Sequence, residues 1–106
     1  MKVPMRKKDR EITDPSEIEK ILKRGEVISV AMCQGDQPYV LPFNYGFLNG
    51  SIYIHSSRKG FKLEVLAQNP RVSFNVLTDV QPLPADQPKD CSVAYSSVVG
   101  FGRARM

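Results

Sequence analysis

At 106 residues, with 42% hydrophobic and 25% charged side chains, the chain has the size and composition of one globular domain spanning 1–106. It contains no apolar run near the ~20 residues a membrane helix requires, and no apolar segment follows the basic start MRKKDR, so no membrane span and no secretory signal is expected and the expected compartment is the cytoplasm. The net charge is +4, but five of the fifteen basic residues (Lys2, Arg6, Lys7, Lys8, Arg10) lie in the first ten positions and the rest are scattered among acids, which reads as a solvated N-terminal arm over about residues 1–12 rather than a nucleic-acid surface.

The first predicted element is a helix in TDPSEIEKILKRGE (13–26). Asp14 suits the N-cap, Pro15 the first helical position and Glu17 the far corner of a capping box. Ile18, Ile21 and Leu22 make an apolar stripe, and Arg24 and Gly25 are stop signals. VISVAM (27–32) is a short strand, CQGDQP (33–38) a turn, and YVLPFNYGFL (39–48) with SIYIHS (51–56) a hairpin. GFKLEVLAQN (60–69) is a second helix with Leu63, Leu66 and Ala67 on one face and Pro70 as its stop. RVSFNVL (71–77) is a strand, and TDVQPLPADQPKD (78–90), with Pro82, Pro84 and Pro88, a long loop. CSVAYSSVVGFGRA (91–104) returns to strand character, loosened by Gly100 and Gly102. Cys33 and Cys91 have neither metal spacing nor the density of a disulfide scaffold and read as free thiols; no metal site is expected. Hairpin-connected strands outnumber helices, so the fold class is mainly β (α+β), a small antiparallel barrel with peripheral helices.

Asn49-Gly50 is the preferred pair for a type I′ turn. That turn sets Tyr45 opposite Ile54 and Asn44 opposite His55. Alternation then gives Leu41, Phe43, Tyr45, Phe47, Ile52 and Ile54 to the core, and Val40, Pro42, Asn44, Gly46, Tyr53 and His55 to the other face. Tyr53 is expected to cover the bare backbone at Gly46, and Pro42, which cannot donate, marks a place where the sheet is open. Asn44 beside His55 is either a shelf for a polar ligand or a solvated pair. The next segment, HSSRKGFKLE (55–64), adds Ser56, Ser57, Arg58, Lys59 and Lys62 around a helix start at Gly60, the parts of a phosphate cradle. A flat polar ring on the sheet with a phosphate at the helix is the shape of flavin mononucleotide (FMN).

The pieces MRKKDREI, YVLPFNYGF, IYIHSSRKGFKLEVL, NPRVSFNV and YSSVVGFGRA, in that order, resemble the pyridoxamine 5′-phosphate oxidase-like split-barrel flavoproteins, in the branch that includes nitroimidazole-resistance proteins. The resemblance implies a six-stranded antiparallel split β-barrel and a homodimer holding FMN at the subunit interface. It implies that Pro42, Phe43, Asn44 and Tyr45 border the flavin ring, that His55 lies near the ring or the substrate, that Ser56, Ser57, Arg58, Lys59 and Lys62 address the phosphate, and that Ser97 and Val98 line the site from a neighbouring strand. Relatives continue past GFGRA, so a C-terminally shortened barrel with an open edge is expected. The function implied is an FMN-dependent oxidoreductase passing electrons from a reduced nicotinamide to a small acceptor such as a nitroaromatic, with His55, the only histidine, as proton donor. The alternatives are a flavin-binding module without turnover (a carrier, sensor or degenerate relative), and a nucleic-acid or regulatory protein using the basic arm.

Overall fold

The computed structural model describes residues 12–57, 59–83 and 92–105. Of the features expected from sequence, the basic arm before residue 12, Arg58, Cys91 and the 84–90 part of the long loop lie outside these residues. Helix α1 (Pro15–Arg24) is followed by β1 (Val27–Gln34), β2 (Gln37–Leu48), β3 (Ser51–Ile54), helix α2 (Phe61–Gln68), β4 (Arg71–Leu83) and β5 (Ser92–Arg103). All strand pairs are antiparallel, in the order β3-β2-β1-β4-β5. The result is a mainly β split-barrel fold, a curled half-barrel of five strands with two helices. The sixth strand implied by the resemblance is not among the described residues.

Helix α1 starts where its sequence requires. The Asp14 carboxylate accepts the Ser16 N–H at 3.0 Å, and Pro15 follows the cap. The capping box does not close, because Glu17 turns outward to pair with Lys20 at 3.2 Å. Ile21 and Leu22 are buried and Ile18 packs against them, the face the stripe specified. Gly25 ends the helix at φ −66°, an ordinary conformation for any residue. Its value lies in its size: a Cβ there would overlap the Tyr45 hydroxyl and a Val76 methyl.

The buried core is Ile21, Leu22, Ile28, Val30, Met32, Val65 and Val76. Phe43, Tyr45, Phe47 and Ile52 close over it from the hairpin, as alternation predicted, whereas Ile54, last in the edge strand, stays 41% exposed. Helix α2 presents a different face from the one expected. Val65 is buried, Leu63 and Leu66 are half-buried and Ala67 is exposed. Phe61, in edge-on contact with Tyr39 at 5.4 Å between ring centres, is the aromatic anchor at its start.

Two loops are shorter than expected. The first turn is only Gly35-Asp36, with Gly35 at φ 60°, so β1 and β2 run on to pair Gln34 with Gln37. Strand β4 continues to Leu83 where a loop from Thr78 was expected. A bulge between Thr78 and Gln81, with Asp79 at φ 57°, absorbs the irregularity, and pairing resumes at Gln81–Ala94. Gly100, opposite Phe74, is where the aromatic ring lies against bare backbone; a Cβ there would overlap that ring.

Candidate functional site

Asn49 at φ 53° and Gly50 at φ 77° both occupy the left-handed region, as a two-residue type I′ turn demands. The register follows: Leu48–Ser51, Phe47–Ile52, Gly46–Tyr53 and Tyr45–Ile54 are the paired residues. There the ladder stops. β3 ends at Ile54, so Asn44 and His55 are not a ladder pair, and no hydrogen bond joins them among the described residues. Asn44 instead pairs on its other side with Val27. Both side chains are exposed at the place where the hairpin opens, with His55 leading into the loop before α2. Tyr53 does not cover Gly46, since a Cβ at Gly46 would meet nothing within 4 Å. The sheet is not interrupted at Pro42, which pairs with Ser29. It is open on the other flank, where β3 reaches only Tyr45–Leu48 and the outer edge of β2 up to Asn44 has no strand partner among the described residues.

Phe43 and Tyr45 point inward. The Tyr45 hydroxyl donates to the Leu22 carbonyl at 2.7 Å, so this side chain fastens β2 to the end of α1, and its burial raises the phenol above its ordinary range. Phe43 and Tyr45 therefore support a shelf on the outer face from beneath, whereas Pro42 and Asn44 stand on that face.

Between β3 and α2, the described residues Ser56, Ser57 and Lys59 and the neighbouring Lys62 make local contacts. The Ser57 hydroxyl accepts the Lys59 N–H at 3.2 Å, Ser56 donates to the Ser57 carbonyl at 3.4 Å, and the Lys62 ammonium folds back over the Lys59 carbonyl at 3.4 Å. Gly60 holds the N-cap position of α2 at φ 126°, a conformation open to glycine, and no side chain caps the first turn. An uncapped helix start with a lysine ammonium and two hydroxyls around it can accept a phosphate with little rearrangement, so the residues present fit that group.

Ser97 and Val98 lie on β5, three strands from β2. Val98 packs against the core, and its carbonyl accepts from the Asn75 amide at 3.2 Å. Ser97 is exposed opposite Leu77, on the same outer face as Asn44 but about 14 Å across the sheet at ~4.8 Å per strand. One chain does not gather Ser97 with the hairpin residues. The outer face also carries Asn75 between Ser29 and Val99 in the ladder, a polar position that period-two alternation along β4 marks as outward. Among the described residues no cluster of His, Cys, Asp or Glu has the makings of a metal site, and no helix is long and apolar enough to cross a membrane.

A family model described as pyridoxamine 5′-phosphate oxidase matches residues 14–106. An uncharacterised protein of Rhizobium meliloti is 30% identical over 60 residues, which are 57% of this chain and 39% of that protein. A Bacteroides thetaiotaomicron structure assigned to 5-nitroimidazole antibiotic resistance is 28% identical with a TM-score of 0.71, covering 87% of this chain and 55% of the other. An FAD-binding protein of Mesorhizobium loti is 30% identical with a TM-score of 0.67, covering 86% and 58%. An FAD and haem binding protein of Mycobacterium smegmatis, at 22% identity and a TM-score of 0.74, shares the fold. The chain spans 39% to 58% of the length of these relatives.

Proposed function

Because the chain belongs to the pyridoxamine 5′-phosphate oxidase family, we propose that it is an FMN-dependent oxidoreductase that works as a homodimer in the cytoplasm. The observation that carries this reading is the adjacency of two features. The exposed Asn44 and His55 stand where the hairpin opens, and the uncapped start of α2 follows within one short loop. Together they suit a ligand with a polar ring at one end and a phosphate at the other. FMN, when bound, would carry electrons from a reduced nicotinamide to a small acceptor, and the Bacteroides relative points to a nitroaromatic as that acceptor's class.

This chain's residues then divide the work. The Asn44 amide, free of protein partners among the described residues, hydrogen-bonds the polar edge of the ring beside Pro42. Phe43 and Tyr45 hold that strand rigid from below. Ser56, Ser57, Arg58, Lys59 and Lys62, with the first N–H groups of α2, take the phosphate. His55 holds the proton that a reduced acceptor requires. The Ser97–Val98 strand closes the site from the second copy, which is how residues ~14 Å away in one chain come to border the same ring.

The test is a pair of titrations. FMN binds, and riboflavin, lacking the phosphate, binds about ten-fold or more weakly. Lys62→Ala with Ser57→Ala erases that difference while leaving riboflavin binding as it was; equal weakening of both ligands overturns the phosphate assignment. Bleaching of the flavin colour by a reduced nicotinamide, and its return with a nitroaromatic, identifies turnover, whereas a colour that never bleaches identifies a carrier.

A further inference from the structure

At the other end of α2, strands β1, β4 and β5 surround an open depression of about 610 Å³ lined by Asn69, Arg71, Ser73, Phe101 and Arg103 among others. Arg71 and Arg103 are a direct ladder pair. Like charges in that relation repel and weaken the sheet. Neither has a carboxylate partner among the described residues, where the ion pairs are Lys20–Glu17 and Arg24–Asp79. The backbone under the pair is nevertheless held at both ends. The Asn69 side-chain oxygen accepts the Arg71 N–H at 3.2 Å, its amide donates to the Cys33 carbonyl at 3.3 Å, and the Pro70 carbonyl accepts the Ala104 N–H at 2.8 Å. Two residues along each strand, Ser73 and Phe101 form the next ladder pair of this kind and line the same depression. Phe101 is 46% exposed.

We infer that this depression is a second ligand site, which takes a nucleotide through its phosphate and its ring. Two arginines at directly opposed ladder positions can both reach one doubly charged oxyanion, each able to present two parallel N–H groups, and binding it converts a repulsive pair into a bridged one. Ser73 adds a donor, and Phe101 offers a flat apolar surface to an aromatic base. The site is separate from the α2 loop, since the helix between them has eight residues and is about 12 Å long. It stands whether or not the hairpin shelf holds a flavin.

Calorimetric titration of the flavin-free chain with AMP and with adenosine, at low ionic strength, tests it. AMP binds, adenosine binds about ten-fold or more weakly, and the double variant Arg71→Gln/Arg103→Gln loses the difference. FMN affinity in that variant is unchanged. Without ligand, Arg103→Gln alone raises Tm at low salt, because it removes the repulsion. Equal binding of AMP and adenosine overturns the site, as does AMP binding that survives the double variant. AMP binding abolished by Lys62→Ala also overturns it, by assigning the phosphate to the α2 loop.

Discussion

The Leu22 carbonyl is among the last of α1, a group that the helix itself leaves without a donor. Tyr45, arriving from β2, supplies one at 2.7 Å, and Gly25 leaves the space for the hydroxyl to reach it. Removing only that oxygen, in Tyr45→Phe, leaves a half-buried carbonyl unpaired and is expected to cost about 1 kcal/mol, read as a lower urea midpoint with an unchanged slope. The interaction has a direction in pH. Burial raises the Tyr45 phenol above 10.0, so the folded chain retains a proton that the unfolded chain releases. Its contribution is whole below pH 10.0 and is lost as pH rises through the raised value, so the gap between wild type and Tyr45→Phe narrows in strongly alkaline solution. A gap that widens there contradicts this account.

At the scale of elements, what was legible in the sequence is what a local rule over-determines. Asn49-Gly50 states a turn, the turn states a register, and the register states which of Phe47, Tyr45 and Phe43 face the core. Helix α1 was legible for the same reason, with its cap, its first-turn proline and its apolar stripe in agreement. The misread segments are those in which a distant contact outvotes the local signal. Thr78-Asp79 and the nearby Pro82 read as a loop, yet β4 passes through them because β5 pairs along its length and Arg24 reaches Asp79 at 2.8 Å across the bulge. The Asn44–His55 rung failed for a related reason: the turn dictates where β3 starts, but the path to α2 decides where it ends. The exposure of Asn44 and His55 at the open end of the hairpin was therefore legible, while their pairing was not. The hairpin also yields a direct test. Gly50→Val forces a β-branched residue to φ 77°, at a cost of about 1–2 kcal/mol, and amide exchange should quicken across Ser51–Ile54 while α1 keeps its protection. Equal loss of protection everywhere would mean that the hairpin and the rest unfold as one unit.

For the whole molecule, the outer face of the half-barrel is the unsolved part of the packing. Ser29 links Pro42 to Asn75 and onward to Val99 in the ladder, and beside that row Val27 pairs with Asn44 and Leu77 with Ser97, so apolar side chains on four strands share a surface at the end of the sheet away from the arginine pair. Val40 is 61% exposed and Val99 65%, with Val27 and Leu77 near one half. Monomers rarely leave such a patch in water. A second copy is the occupant that the proposed function requires, because Asn44 and Ser97 stand on this face too far apart to meet within one chain, and a two-fold arrangement brings one copy's β5 to the other's hairpin. Val99→Lys places a charge in the middle of that contact without touching the core, the α2 loop or the arginine pair. Sedimentation velocity is expected to show wild-type dimer and Val99→Lys monomer, with circular dichroism unchanged, and FMN affinity should fall with the dimer because half of each site is then missing. A wild-type chain that sediments as a monomer at every concentration, or a Val99→Lys monomer that binds FMN as tightly as wild type, would show that the flavin site is built by one chain alone.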